Sequence, residues 1–538
     1  MQKKVDHLTK NLIRIIAETN GLSLNHTLEL LQESARTNES EKKIIREFTK
    51  MMHDFQSNKI PIEKLLAHPI SESLFKFFKS FPLPYCEEHI HLTGSLSPEF
   101  IWKHLEPIIN SDEGPLITKK VEEVYGRKIK WEGVQTVRDL VQLNDDGDFT
   151  TYLKILFLPK IILRSKEIHI DAAYHMGKEL FEKYNVGSIR LKFTLSRSTG
   201  IKSEQVPGLE GVTEEDVVLG LYEGFKKYQQ ENPKFSFTLT PCFRKELDFY
   251  DTVNFKSKKE HFEFQVKQIL DLLKKYPELT PILNEVDTVG DEKGLYRKVH
   301  FEQLREGFRK LQYKGFQIKS HHGETWQILR KGVQSVDNAM NIWQIDTLEH
   351  GISLGINPNF YFHRIYQEIL EENDQGKPIE ESSIQYRELE DMSLLPLDIL
   401  NKLKAGEKLT KYEKIILVKS KFHHAREVEH YQHDVLNRMI NKNVSLISLP
   451  SSNLKLTGAF PDYKDHPFSW WEKKGVQLGI GTDNYITLKT NFIREMLILL
   501  FSEPENLKIT KILMVATKEK RRPFLSNCLW MLNKGLED

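Results

Sequence analysis

Cysteine is nearly absent: 538 residues contain three, Cys86, Cys242 and Cys528. They lie far apart and none sits in a CxxC pair, which argues against a disulfide framework and against a cysteine-based metal site, and fits a reducing cytoplasm. Long apolar runs are missing too. No stretch approaches the roughly 20 apolar residues that a membrane-spanning helix requires. Residues 1–24 mix charges with short apolar runs and lack the continuous apolar segment of a secretion signal. The expectation is a soluble cytoplasmic protein with no membrane partner. An excess of charge is also lacking. Lys and Arg total 77 against 76 for Asp and Glu, a formal net charge of +1, and this near-neutrality argues against a dedicated nucleic-acid binder. The basic run 518–522 reads as a solvated helix end. Internal repeats and low-complexity segments are absent.

What is present is enough apolar material, 39% of residues, for a sizeable core with charged helices around it. Residues 1–82 read as a helical extension. Leu12, Ile13, Ile15 and Ile16 share an apolar face, and Pro82 and Pro84 break the pattern after an aromatic cluster at Phe75, Phe77, Phe78 and Phe81. Packing on the main domain and a role as an oligomerisation arm are both open. From residue 85 the pattern changes to short β-branched and aromatic runs separated by amphipathic helical stretches. Eight such runs occur, at 85–91, 188–195, 235–240, 282–287, 316–320, 345–350, 444–449 and 476–481. Strands alternating with helices in this number predict an α/β fold, a (β/α)8 TIM barrel spanning 83–505. The interval after the sixth strand is too long for one βα unit, so a helical insertion at about 356–440 is expected, and 506–538 reads as a helical tail.

Active sites of TIM barrels lie at the C-terminal ends of the strands. The first strand ends in His89-Ile90-His91, whose alternation turns both imidazoles to one side. The fifth ends in Ser320-His321-His322-Gly323-Glu324, the sixth in Glu349-His350-Gly351, and the eighth runs into Gly481-Thr482-Asp483-Asn484. Three imidazoles and a carboxylate suit Zn²⁺ with one position open for water. Glu324 and His350 remain for acid–base work. Each motif alone is commonplace; their agreement at the ends of separately assigned strands is what carries weight.

These segments resemble the motifs of the adenosine/AMP deaminase family. HIHLTGS at 89–95 is similar to its first metal motif, HHGE at 321–324 to its HAGE motif, and LEHG at 348–351 to its LGHG-type motif. SLPSSNLKLTG at 448–458 and GTDN at 481–484 resemble the last two, and DTVGDE at 287–292 resembles the segment after the fourth strand. All occur in family order. The resemblance implies that His89, His91, His321 and Asp483 hold Zn²⁺, which makes hydroxide available at neutral pH. It implies that His350 takes the water's proton with Asp483 orienting the attack on C6 of a purine. Glu324 then serves N1 as proton donor, and the Gly290 N–H meets N3, where the lack of a Cβ permits close approach. The implied substrate is an adenine nucleoside or nucleotide, and the product its inosine counterpart plus ammonia.

Two departures bear on the substrate. Asn484 replaces the second aspartate of TDD, which in the family faces N7. Thr93 stands where many nucleoside deaminases have an aspartate near the ribose 5′ side, so a 5′-phosphate would meet no repulsion. Arg197 and Lys202 after the second strand are candidate phosphate contacts, and Lys192 within that strand can face either way. His423, Glu427 and His430 share a helix face but read as a solvated helix. Other hydrolysis, on a modified purine or another amine, stays open because of Asn484. So does a catalytically weak nucleotide-sensing or scaffolding protein, because the extension and the insertion suit assembly, a homo-oligomer included. Large decorated members of this family occur in bacterial phage defence, a setting with which the extra regions are compatible.

Overall fold

The computed structural model describes residues 2–35, 38–144, 147, 149–195 and 208–535. Eight parallel strands form one sheet in chain order, β1 (Tyr85–His91), β2 (Val186–Thr194), β3 (Ser236–Arg244), β4 (Glu285–Val289), β5 (Gln317–His322), β6 (Thr347–His350), β7 (Ser445–Ser448) and β8 (Leu478–Ile480). The seam is closed by a parallel bridge between Ile90 and Asp483. There the Asp483 N–H donates to His89 O at 2.9 Å and the His91 N–H to Asp483 O at 2.8 Å. The chain is thus a TIM barrel. Every strand lies where the alternation of apolar runs predicts it. The ends differ: β3 runs on to Arg244, β4 starts only at Glu285 after the turn at Pro277–Leu279, and β8 keeps three residues.

The expected helical insertion follows β6, as helices Pro358–Asp374, Ile384–Asp391, Leu397–Ala405 and Lys411–Asn441. It does not stand apart from the barrel. Glu388, fully buried, accepts the Leu329 N–H at 2.7 Å and the Tyr361 hydroxyl at 2.9 Å, and Tyr361 in turn accepts the Trp326 indole N–H at 3.1 Å. The insertion therefore grips the segment that follows β5. A second long connection was not expected. Between β1 and β2 the described residues form seven helices, from Leu92–Ser95 to Lys166–Tyr184, and one of them, Phe149–Ile155, covers the barrel mouth.

The N-terminal helices Gln2–Glu18, Leu24–Ser34, Glu39–Gln56, Ile62–Leu66 and Pro69–Lys79 pack on the C-terminal part of the chain. Leu12, Ile13, Ile15 and Ile16 are buried as their spacing predicts, and one apolar core runs from Leu8 through the barrel helices to Leu529. Phe48 is fully buried, its ring 5.7 Å edge-on from Phe501. The Asn25 N–H donates to Pro504 O at 2.9 Å and the Ile509 N–H to Leu22 O at 3.0 Å. Among the described residues no helix is long and apolar enough to cross a membrane, and all three cysteines are free.

Because Phe48 joins the extension to the barrel's outer helices, Phe48→Ala is expected to cost about 3–5 kcal/mol and to lower the midpoint of a single denaturant transition. A separate early transition confined to the N-terminal helices would show that the extension folds on its own.

Candidate active site

β1 and β5 bring three imidazoles to one point. His89 Nε2 lies 3.1 Å from His91 Nε2, which lies 3.3 Å from His321 Nε2. Asp483 Oδ1 is 3.5 Å from His91 Nε2 and 3.7 Å from His89 Nε2, and its Oδ2 accepts the Ser452 hydroxyl at 2.7 Å. The other ring nitrogens of His89 and His321 are engaged by carboxylates. His89 Nδ1 faces Glu349 Oε2 at 2.7 Å and His321 Nδ1 faces Asp287 Oδ1 at 3.1 Å. Such partners fix the tautomer, with Nδ1–H outward and the Nε2 lone pair turned to the common centre. Burial, reinforced by neighbouring cationic groups, holds His89 and His91 well below the usual histidine range, so both are neutral ligands at pH 7.

Lone pairs converging at this distance repel unless a cation lies between them. Among the described residues, the groups of three that suit a metal ion are His89, His91 and Asp483, and His89, His321 and His350. The donor set, neutral nitrogens plus one carboxylate, fits a divalent ion.

Below this centre the barrel carries a buried charge balance. Lys192, whose facing was open from sequence, points inward and is fully buried, pairing with Asp287 and with Glu349 Oε1 at 2.9 Å. Burial opposes its charge, but the two carboxylates outweigh that and raise its pKa. Burial likewise works against ionised Asp287, yet His321 and Lys192 hold its carboxyl below the usual range. Lys192 thus pairs with both carboxylates that orient the histidines, and the buried Lys319 ammonium adds a second cation 3.6 Å from Glu349 Oε1.

Above the centre sit the acid–base candidates. His350 is 1% exposed, and neither ring nitrogen has a hydrogen-bond partner. Its Nε2 is 3.8 Å from Glu324 Oε1. Burial, with His321 and Lys245 nearby, keeps His350 neutral. Burial first, and the Asp483 carboxylate second, push Glu324 up to about 8, so it is protonated at neutral pH. His350 and Asp483 adopt φ of +67° and +65°, the left-handed region that non-glycine residues occupy at a cost and mostly where function requires it. The loop bearing Glu324 is clamped by the Glu292 carboxylate, which accepts the N–H groups of Gly323, Glu324 and Thr325 at 3.0, 2.6 and 2.8 Å.

These groups open onto a cavity of about 380 Å³, the size range of small-molecule sites. Thr93 and Gly290 lie on its wall. Gly290 has φ +104°, and a Cβ there would come within 2.2 Å of the Glu246 carboxylate, so only glycine fits. Phe149, Tyr152, Leu153 and Leu156 form an apolar cover, and Lys160, Arg244 and Lys258 line the cavity as well. Arg244 pairs with Glu246 at 2.5 Å, and Lys258, pushed down to about 8 by burial, donates to Phe249 O at 2.7 Å.

The structure does not bring Asn484 to this wall. The residue is fully buried beside Asp483, with Nδ2 donating to Tyr152 Oη at 2.5 Å and to Asp483 Oδ1 at 2.6 Å. Gly94 packs against its amide so closely that a Cβ there would lie 1.6 Å from Asn484 Oδ1. Arg197 and Lys202 lie outside the described residues. His322 turns away from the centre to Ser320 Oγ at 2.6 Å. His423, Glu427 and His430 fall on the long helix Lys411–Asn441. Tyr152, Lys192, Glu349 and Glu292 were not singled out as site residues by sequence. A lysine in the apolar strand SIRLKFT and a glutamate in place of glycine in LEHG were the available signals for two of them.

Lys192→Met removes the ammonium that Asp287 and Glu349 share. It is expected to destabilise the chain by about 3–5 kcal/mol and to weaken metal binding about 10–100-fold, measured by denaturant unfolding and metal competition. Adding Glu349→Gln should recover part of the stability; no recovery would mean that the charge balance is not what Lys192 provides.

No family model matches the chain, and no curated protein matches it. Solved structures do show likeness. A cog1816 amidohydrolase from Burkholderia ambifaria with bound Zn has 13% identity and a TM-score of 0.47, covering 86% of this chain and 94% of its own. The N6-methyl-AMP deaminase from Arabidopsis thaliana has 11% identity and a TM-score of 0.48, covering 85% and 98%. Arabidopsis ADAL complexed with GMP has 11% identity and a TM-score of 0.49, covering 86% and 98%. Likeness this distant carries no chemistry across, which must rest on this chain's own residues.

Proposed function

We propose that the chain is a zinc-dependent hydrolase that removes the 6-amino group of an adenine nucleotide or nucleoside. The barrel at 83–505 is the catalytic unit, with 1–82 and 506–538 as helical layers around it. The observation that carries this reading is the meeting, in one cavity, of a metal-ligand set with a protonated carboxyl group and an unpartnered neutral imidazole. His89, His91, His321 and Asp483 would hold Zn²⁺. When bound, the ion supplies the Lewis acidity that makes hydroxide available near neutral pH.

The chain's residues supply the rest. His350, with both ring nitrogens free, accepts the proton of the attacking water. Glu324, protonated at neutral pH, donates to ring N1 as hydroxide adds to C6, which moves the ring's electron pair onto N1. The C6–amino bond then breaks, His350 returns its proton to the leaving ammonia, and the proton on the added hydroxyl passes to Glu324, which restores that acid and leaves N1–H on the 6-oxopurine. The Gly290 N–H is the contact for N3. Neutral Thr93, with Lys160, Arg244 and Lys258 also lining the cavity, favours a substrate carrying a 5′-phosphate.

The first test is a panel of adenine nucleosides and nucleotides assayed for inosine products, with zinc measured per chain. About one zinc and a deaminated product are expected. Glu324→Gln should retain zinc and lose about 10²–10⁴-fold in kcat, whereas His321→Ala should lose the metal. In the wild-type chain kcat/KM should fall as pH rises through about 8, because Glu324 then gives up the proton it must donate. Near-normal turnover by Glu324→Gln would remove Glu324 from the mechanism.

A second test addresses the 5′ side. A phosphate carries about −1.5 to −2 charges near pH 7, so Thr93→Asp should harm AMP and dAMP far more than adenosine in kcat/KM. An equal effect on all three would defeat the phosphate argument and leave the deaminase reading standing.

A further inference from the structure

The mouth of an eight-stranded ring sets β5 across from β1. Glu324 follows β5, while Asp483 and Asn484 follow β8 at the seam with β1. Tyr152 reaches that second side from helix Phe149–Ile155, where its hydroxyl oxygen accepts the Asn484 Nδ2–H at 2.5 Å. Its side chain lines the cavity although the residue is only 7% exposed. Tyr152 is therefore tied to the β8–β1 side of the mouth, while Glu324 belongs to the β5 side.

The chemistry of a 6-aminopurine gives that position a meaning. C6 is flanked by N1 on one side and by C5, which bears N7, on the other. With N1 at Glu324 and C6 over the metal centre, the N7 edge turns toward the β8–β1 seam. N7 is purely an acceptor, so the protein must offer a donor there. Asn484 does not reach the cavity, and its Nδ2 hydrogens are spent on Tyr152 and Asp483. The phenol receives one of them on oxygen, which leaves its own proton to be directed elsewhere. Asp483 is the competing acceptor beside it and shares a hydrogen bond with the phenol, while its Oδ2 also takes the Ser452 hydroxyl and its Oδ1 the Asn484 amide. Because Tyr152 lines the cavity, a purine N7 placed there competes with Asp483 for the phenolic proton.

We propose that the Tyr152 hydroxyl, held in place by Asn484, donates the hydrogen bond to N7 of the substrate purine; this rests on the deaminase reading above. Tyr152 is then a substrate-binding residue that selects for a nitrogen at position 7, and Asn484 is the positioning residue behind it. The assignment explains why the amide faces away from the cavity: it serves the base through the phenol.

The test compares an adenine substrate with its 7-deaza counterpart at the same phosphorylation level, in the wild-type chain and in Tyr152→Phe. Loss of a hydrogen bond to a buried partner is worth about a factor of ten. The wild-type chain should prefer the N7 compound by about tenfold in kcat/KM. In Tyr152→Phe that preference should collapse to within about twofold, through a fall on the N7 compound with little change on the 7-deaza one and with zinc content intact. Should the phenylalanine variant fold poorly, Asn484→Ala, which leaves the phenol but removes its holder, should narrow the preference as well. A preference that persists in either folded variant, or none in the wild-type chain, overturns the inference while deamination itself upholds the broader reading. If the wild-type chain deaminates neither compound, the deaminase reading fails and the inference falls with it.

Discussion

The seam between β1 and β8 is the constraint on which the site depends. Closing a sheet into a barrel requires its last strand to find its first, and here the bridge is made by residues of the candidate centre. Asp483 gives its N–H to His89 O and takes the His91 N–H on its own carbonyl. Its positive φ follows from doing this while turning its carboxylate toward the imidazoles. Glu87 reinforces the join from within, accepting the Thr482 N–H at 3.1 Å, the Thr482 hydroxyl at 2.9 Å and the Tyr485 hydroxyl at 2.9 Å. With the His89 N–H at 3.2 Å, four donors surround this fully buried carboxyl, although burial still pushes it up to about 8. Fold closure and ligand geometry are one set of bonds.

A second constraint is electrostatic. Ligand histidines must stay neutral to offer lone pairs, yet each needs a carboxylate to fix its ring, and two carboxylates in an apolar barrel are costly unless balanced. Lys192 on β2 balances them across the barrel interior, with Lys319 on β5 beside Glu349. The arrangement also separates roles by depth. Asp287 lies ionised beneath the centre, paired with Lys192, while above it Glu324 has no ammonium within ion-pair distance among the described residues and keeps its proton.

Much of this was legible in the sequence because it has short-range signatures. The period-two alternation in His89-Ile90-His91, the polar endings of apolar runs, and the change of periodicity after Pro84 each reflect local geometry. The eight strands followed from such signals. What stayed hidden depends on contacts between distant segments. The facing of Lys192 is set by Asp287 and Glu349 on other strands. The turning of Asn484 away from the cavity is imposed by Gly94 packing on its amide and by Tyr152, from a connection whose many helices did not announce that one would cover the mouth. The boundaries of β3, β4 and β8 moved because strand ends are decided by partners across the sheet, not by the run of residues itself.

The grip of the insertion on the barrel has a thermodynamic side. Glu388 is buried among a backbone N–H and a tyrosine hydroxyl with no ion-pair partner among the described residues, and burial pushes its carboxyl up to about 8. In the unfolded chain the same group ionises near 4.3. Between those values the folded state holds a proton that the unfolded state has released. The contribution of this contact is complete below the ordinary glutamate range and drains away as pH rises toward about 8. The loop after β5 and the insertion helices are thus bound by a proton as well as by packing. Mild alkalinity is the condition under which the two would first begin to open together as a local unit.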